Sequence, residues 1–107
     1  MSQKKKQIRN KFRTDVANRD NHRCAIPECA VQDEGQHDPH HITDRNEMPN
    51  GGYVMSNGIF LCPSCHQKAE QFHISGIPFP GYAPEDLYRI IKSSYDQAVK
   101  DSKRLGE

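Results

Sequence analysis

Four cysteines in two short-spaced pairs constrain the fold of this 107-residue chain more than any other feature of its sequence. The pairs are Cys24-x4-Cys29 and Cys62-x2-Cys65, and 32 residues separate them. Four thiolates spaced in this way are typical of a tetrahedral structural Zn2+ site, because each short loop can bring two sulfur atoms to one ion. Two disulfides are the alternative, but a disulfide inside a Cys-Pro-Ser-Cys loop is usually a redox feature, and no βαβ pattern surrounds it. We therefore predict one zinc ion bound by all four cysteines.

The composition agrees with a fold that needs such a metal. Only 34% of the residues are apolar and the mean hydropathy is −0.94, so burial alone offsets chain entropy poorly. A structural zinc site supplies on the order of 10 kcal/mol of folding free energy. We expect a single domain over residues 1–107, because this length leaves no room for a second core.

Two other classes of protein are disfavoured by the sequence. No apolar run approaches the roughly 18 residues that cross a bilayer. The basic N-terminus is not followed by the apolar segment of a secretory signal. We therefore expect a cytoplasmic domain with no membrane partner.

The element pattern predicts an α+β fold. Apolar residues at helical spacing indicate a basic N-terminal helix over about residues 7–20. Residues 24–39 are rich in turn-forming residues and are predicted to be loop, although 37–42 could include a short strand. A second strand is predicted at 58–61, followed by a helix that begins at Pro63 and ends near residue 72 or 73.

One further helix is predicted at the C-terminal end, over about residues 85–105. Pro84 opens it, Glu85 and Asp86 lie in its first turn, and basic residues near its end complement the helix dipole. Its apolar face is predicted to consist of Leu87, Ile90, Ile91, Tyr95 and Ala98.

Charge is distributed unevenly along the chain, although the net charge is only +1. Residues 1–23 carry eight basic and two acidic side chains, a net of +6, and the remainder carries −5. A basic segment attached to a mildly acidic body indicates contact with a polyanion. A solvated tail whose lysines serve solubility is the alternative.

A second motif lies between and beside the cysteine pairs. The paired histidines His40 and His41 come first, Asn57 lies five residues before Cys62, and His66 directly follows the second pair. In these residues the sequence resembles the HNH endonuclease family, in its form with two zinc knuckles. The matching positions are His40-His41-Ile42, the loop glycines Gly51 and Gly52, Asn57 and Cys62-x2-Cys65-His66.

This resemblance covers about residues 23–69 and implies a zinc-stapled ββα-metal core over about 23–73 that hydrolyses DNA phosphodiester bonds. It implies that His41 is the general base and that Asn57 pins the loop and orients His41. His40 and His66 would bind a catalytic divalent ion, either Mg2+, Mn2+ or another divalent transition metal. The chemistry agrees, because a neutral imidazole accepts a proton near pH 7 and a divalent cation stabilises the leaving 3′ oxygen.

The site residues leave several questions open. Adjacent strand residues point to opposite faces, so a strand end or a bulge must re-aim His40 or His41. Glu70 lies one turn after His66 and is either a further metal contact or a solvated charge. His73, two turns after His66, has a weaker argument, and His37 is interpreted as a loop residue. Many relatives have Asp in place of His40, and this His favours a transition metal over Mg2+.

DNA is the partner that the resemblance implies. The basic residues predicted to contact its backbone are Lys4, Lys5, Lys6, Arg9, Lys11, Arg13 and Arg45. An exposed salt bridge is the alternative for Arg45. We expect weak sequence preference, and a homodimer or a larger phage or bacterial assembly is compatible with the sequence. A zinc-binding nucleic-acid module without catalysis, and a partner-docking protein, are the rival functions.

Overall fold

The structure is a computed structural model that describes residues 2–27, 29 and 37–106, except for the side chains of residues 2 and 3. Much of the predicted loop over 24–39 therefore lies outside the described residues. The helices are α1 (Ser2–Arg19), α2 (Pro63–Ser75), α3 (Pro84–Ile90) and α4 (Tyr95–Arg104). The strands are β1 (Asp38–His41) and β2 (Gly58–Leu61), with three short 3-10 turns between them, and the α+β prediction is confirmed.

The two strands pair antiparallel in an unbroken register, with Asp38 opposite Leu61 and His41 opposite Gly58. Both α1 and α2 contact both strands. Side chains alternate along a strand, so His40 faces α2 whereas His41 faces α1. The result is a two-stranded sheet covered by one helix on each face, which buries all four residues of β2.

The core follows the same alternation along β2. Ile59 and Leu61 belong to a cluster that also includes the cysteines and the buried residues of α2, α3 and α4. Phe60 belongs to a second, smaller cluster with three residues of α1, namely Phe12, Val16 and Ala17. These three residues of α1 therefore cover one face of the sheet.

Helix α1 begins at Ser2, earlier than the predicted start near residue 7. The lysine run Lys4–Lys6 is therefore helical, with all three side chains exposed, and it is not an irregular tail. Lysine and glutamine have high intrinsic helix propensity, so the helix begins ahead of Ile8, the first residue of its apolar stripe. That extension places the densest positive charge of the chain on a regular helix.

The single C-terminal helix predicted over residues 85–105 is two helices in the structure. The chain breaks between α3 and α4, where Lys92 has a positive φ of 58° and Ser94 caps α4 by accepting a hydrogen bond from the backbone N–H of Gln97. The break changes which residues are buried. Leu87 and Ala98 reach the core, but Tyr95, predicted to lie on the apolar face, is 52% exposed.

The C-terminal helices brace the loop that connects the two strands. Asn50 Nδ2 donates to the carbonyl of Ser102 at 2.9 Å, and Ser56 Oγ donates to Asp101 at 2.7 Å. The hydroxyl of Tyr88 reaches the same loop from α3. None of the helices in the described part of the chain is long and apolar enough to span a bilayer.

Candidate active site and metal centres

The four cysteines converge on one point, as the spacing predicts. Their sulfur atoms all lie within 4.8 Å of one another, and all four thiols are free. The sulfur atoms of Cys29 and Cys62, one from each pair, are 3.6 Å apart. Four sulfur donors in a closed group fit a structural Zn2+ ion, which prefers tetrahedral thiolate coordination.

Local folding explains how each pair is formed. The first pair is held to the sheet by the backbone N–H of Ala25, which donates to Phe60 at 2.8 Å, and the N–H of Cys29 closes a turn onto Ile26 at 3.0 Å. In the second pair, Cys62 directly precedes α2 and Cys65 lies in its first turn. A helix N-terminus stabilises negative charge, so this position favours thiolates.

Burial makes it costly for the cysteine thiols to ionise, and a bound cation would offset that cost. Burial raises the pKa of Cys24 and of Cys65. Burial also pushes the pKa of Cys62 upward, but hydrogen bonds from Cys65 and Cys29 outweigh it and the net pKa is lowered. A bound Zn2+ ion keeps such thiols deprotonated and couples its binding to folding.

A second group of metal-binding side chains lies between β1 and α2. His40 is 1% exposed, and its Nδ1 lies 3.0 Å from Oε2 of Glu70. His40, Glu70 and His73 each offer a ligand atom within 4.8 Å of the others. His66 adjoins them, since its Nε2 is 3.4 Å from the same Glu70 oxygen and its ring centroid is 5.2 Å from that of His40.

These residues fit a divalent ion on two observations. The Nε2 of His40 is buried and makes no hydrogen bond within the described residues, while its Nδ1 contacts Glu70. The contact with His40 lowers the pKa of Glu70 to about 2, and burial lowers the pKa of His40, so the carboxylate is ionised and the imidazole neutral at pH 7. Both are the protonation states that bind metals.

The structure thus brings His40 and His66 together, as predicted, but adds two residues. Glu70, left open in the sequence, contacts both histidines, and His73, which had the weaker argument, stacks on His40 with ring centroids 5.1 Å apart. Residues 66, 70 and 73 recur at helical spacing, so they share one face of α2. That spacing is the signal that could have indicated both residues.

His41 points away from this group, as strand geometry requires. Its ring stacks on Phe12 and meets the edge of Tyr53, with centroids 4.7 Å apart in each case. Its Nε2 is buried without a hydrogen-bond partner in the described structure. Burial, followed by the nearby charges of His40 and Arg45, lowers the pKa of His41 to about 4. No bulge re-aims either histidine in the β1–β2 pairing.

Asn57 is fully buried and uses its whole side-chain amide to hold the loop between the strands. Its Oδ1 accepts from the backbone N–H of Thr43 at 3.0 Å and from the hydroxyl of Tyr88 at 2.7 Å. Its Nδ2 donates to the carbonyls of Thr43 at 3.1 Å and Gly52 at 3.2 Å. The Asn57 side chain does not contact His41 but binds the backbone of Thr43, two residues further along the chain. Any influence of Asn57 on His41 therefore passes through the loop backbone.

The carbonyl of His41 is held by the helix instead. His73 Nε2 lies 2.9 Å from that oxygen, and a carbonyl can only accept, so Nε2 is the donor. A histidine that donates from Nε2 keeps Nδ1 as the nitrogen able to bind a metal. One hydrogen bond therefore links a candidate metal ligand to the backbone of the candidate base.

A cleft with three basic side chains lies on the His41 side of the sheet. It has a volume of about 510 Å³ and is lined by Lys5, Ile8, Arg9, Arg45, Asn46, Asn50, Gly51, Tyr53 and Leu105. We call it the basic cleft. Arg45 donates to the Tyr53 hydroxyl at 3.3 Å, and the guanidinium of Arg9 lies 5.5 Å from the centre of the same ring.

The other basic residues predicted to contact DNA are arranged differently. Lys11 pairs with Asp15 at 2.6 Å, and Arg13 pairs with Asp38 at 3.0 Å. Lys4 and Lys6 are exposed on α1. Three of the seven predicted residues therefore converge on the basic cleft, and two are held in surface ion pairs.

Comparison with known proteins agrees with the geometry. The family model described as HNH endonuclease matches residues 22–72, a range that includes both strands and both candidate metal groups except for His73. Neither a curated protein nor a solved structure matches the chain. The resemblance seen in the sequence is therefore confirmed over residues 22–72, where the chain is similar to the HNH endonuclease family.

Proposed function

We propose that this protein is a metal-dependent endonuclease that hydrolyses DNA phosphodiester bonds. The observation that carries the proposal is His40, a buried imidazole whose Nε2 has no hydrogen-bond partner in the described structure and whose Nδ1 contacts an ionised Glu70. A buried polar group without a partner costs about 1–3 kcal/mol, and a ligand explains why it is tolerated here. The next residue in the chain, His41, supplies the base.

The metal would be held by His40, Glu70 and His73, with His66 beside Glu70. When bound, a divalent ion supplies positive charge for the scissile phosphate and for the departing 3′ oxygen. A donor set with three imidazoles and one carboxylate favours a transition metal over Mg2+, which prefers oxygen ligands. This refines the sequence-based pair of His40 and His66.

His41 would act as the general base. Its neutral imidazole accepts a proton from water, the water oxygen attacks phosphorus, and the bond from phosphorus to the 3′ oxygen breaks. The departing 3′ oxygen takes up a proton from solvent. The products carry 5′-phosphate and 3′-hydroxyl ends. In its present position the Nε2 of His41 is buried, so α1 must shift or the ring must turn toward the basic cleft before it meets substrate. Leaving the apolar contacts also returns the pKa of His41 toward its ordinary value, which strengthens the base.

The basic cleft would bind the DNA backbone. Lys5, Arg9 and Arg45 present positive charge around Tyr53, whose ring also contacts His41. Contacts to phosphate position a protein on DNA without selecting sequence, so weak sequence preference follows. Assembly into a homodimer or a larger phage or bacterial complex stays a prediction.

The test is relaxation of supercoiled plasmid by zinc-loaded protein with added Mg2+, Mn2+ or Ni2+. The wild type should convert the plasmid to nicked circles or linear DNA. His41→Ala should reduce the rate by about 10²–10⁴-fold, the usual contribution of a general base. The matched control is His22→Ala, at an exposed histidine outside both metal groups, which should retain the wild-type rate. Equal nicking by the wild type and His41→Ala would contradict the assignment.

The buried Nε2 of His41 favours one rival, a zinc-binding nucleic-acid module without catalysis. That module would bind DNA through the basic cleft and cut in none of the metals. Binding without cleavage by the folded, zinc-loaded wild type would therefore replace the nuclease proposal.

A further inference from the structure

A tyrosine outside the HNH segment contacts the zinc-binding cysteines. The hydroxyl of Tyr82 donates a hydrogen bond to Sγ of Cys65 at 3.3 Å. Tyr82 lies ten residues beyond the last position that the family model matches. The candidate nuclease mechanism does not use this residue, so its contact needs a separate explanation.

The sequence around Tyr82 builds a turn that holds the hydroxyl in place. The N–H of Tyr82 donates to the carbonyl of Phe79 at 2.8 Å, and Gly81 has a φ of 86°. Proline followed by a glycine with positive φ is the signature of a type II turn, and Pro80 and Gly81 occupy those two positions. The turn lies in the connection between α2 and α3 and places the Tyr82 hydroxyl against α2.

Neighbouring side chains fix the ring. Phe79 meets Tyr82 edge to face with centroids 5.6 Å apart. The ammonium group of Lys68, on α2, lies 5.3 Å from the centre of the Phe79 ring and 5.6 Å from that of Tyr82. Lys68 and Tyr82 also line one cavity together with Cys29 and Cys65. A hydrogen-bond donor thus reaches the sulfur cluster, and its ring is held by Phe79 and Lys68.

We propose that Tyr82 is a positioning residue for the zinc site. Four thiolates around one Zn2+ ion carry net negative charge, and a donor to one sulfur disperses part of it. The hydrogen bond also fixes the direction of the Cys65 side chain, so less freedom is lost when zinc binds. Groups that hydrogen-bond to metal ligands in this way typically change metal affinity by about 10–100-fold. The Tyr82 hydroxyl therefore increases the zinc affinity of the folded chain.

The first experiment is competition for zinc between the full-length protein and a chromogenic chelator. Tyr82→Phe removes only the hydroxyl and keeps the ring against Phe79 and Lys68. We expect zinc affinity to fall by about tenfold or more. Tyr95→Phe, at an exposed tyrosine of α4, is the matched control and should bind zinc as tightly as the wild type. A Tyr82→Phe affinity within twofold of the wild type would overturn the proposal.

A second measurement separates the hydrogen bond from ring packing. In the cobalt-substituted protein, loss of a donor to a thiolate raises the energy of the sulfur lone pairs. The sulfur-to-cobalt charge-transfer band of Tyr82→Phe should therefore move to lower energy, and that of Tyr95→Phe should not. If only Tyr82→Ala lowers zinc affinity, the ring matters and the hydroxyl does not, which also overturns the proposal. Neither measurement depends on DNA cleavage, so their outcome is independent of the proposed nuclease activity.

Discussion

His40 and His41 are neighbours in sequence but lie in different environments. His40 is enclosed by the polar side chains of α2, whereas His41 is enclosed by the rings of Phe12 and Tyr53. Both pKa values are lowered by burial, so both rings are neutral at pH 7. One neutral imidazole suits a metal ligand and the other suits a proton acceptor.

At Glu70, removing the charge should weaken binding of the second metal. Glu70→Gln keeps the size of the side chain but loses the carboxylate that contacts His40 and His66. In calorimetric titration of the zinc-loaded protein with Mn2+ or Co2+, the wild type should bind one further ion. The variant should bind it more than about tenfold more weakly. Glu85→Gln, at an exposed acid of α3, is the control, and equal affinity in all three proteins would refute the site.

At His41, the lowered pKa predicts a loss of stability in acid. The folded state holds its pKa at about 4, below the ordinary value near 6.5, so the unfolded state takes up the proton first. The stabilising contribution is complete above about pH 6.5 and is lost as the pH falls toward 4. His41→Phe should therefore lose less free energy of unfolding between pH 7 and pH 5 than the wild type, in urea titrations monitored by circular dichroism. His22→Phe should follow the wild type, and parallel curves for His41→Phe would exclude the effect.

Spacing in the sequence predicts which side chains lie close together when those residues belong to one short segment. Cys62, Cys65 and His66 lie within one turn of helix, so their proximity follows from local geometry. The contact of Glu70 with His40 depends on how α2 crosses β1, which no local pattern specifies. The contact of Phe12 with His41 likewise depends on the docking of α1.

Helix α1 packs closely on the sheet at Gly58, because this residue has no side chain. A Cβ atom built on Gly58 would lie 2.6 Å from side-chain atoms of both Phe12 and Val16. Real Cβ atoms essentially never come so close to a neighbour. Gly58 is also the strand partner of His41, so the same close approach that seals α1 on the sheet covers the candidate base.

Replacing this glycine should lift α1 from the sheet. Gly58→Ala should lower the free energy of unfolding by about 1–3 kcal/mol, the usual cost of overpacking. It should also speed modification of His41 by diethyl pyrocarbonate, mapped by mass spectrometry. Gly76→Ala is the control, because its φ of 80° makes alanine strained while no atom lies within 4 Å of its Cβ. If both variants speed the modification of His41 equally, the cause is general destabilisation and not displacement of α1 from the sheet.

The boundaries of elements were predicted less well than their existence. The start of α1 was missed because lysines continue a helix without continuing its apolar stripe. The break between α3 and α4 was missed because Leu87, Ile91, Tyr95 and Ala98 keep helical spacing across it. The cap at Ser94 and the positive φ of Lys92 are favoured only because both helices then reach the core.

For the whole molecule, zinc should decide whether the chain folds. The core is small and the apolar fraction is 34%. Three of the cysteines belong to the main core cluster and Cys29 packs against it. Removing zinc should therefore unfold the protein, with loss of helical circular dichroism and rapid proteolysis, and adding zinc should restore both. The control is the same chelator presaturated with zinc. A chelated protein that keeps its spectrum and its protease resistance would show that burial alone is sufficient.

The loop between the two strands depends on contacts from α3 and α4. Tyr88 supplies one of the four side-chain hydrogen bonds of Asn57. Ser102 and Asp101 bind Asn50 and Ser56. A graft of residues 22–72 onto another scaffold would leave those groups unpaired and would lose Leu87 and Ala98 from the core. The segment that matches the HNH family model is therefore not expected to fold as an independent unit, and a chimaera has to include α3 and α4 as well.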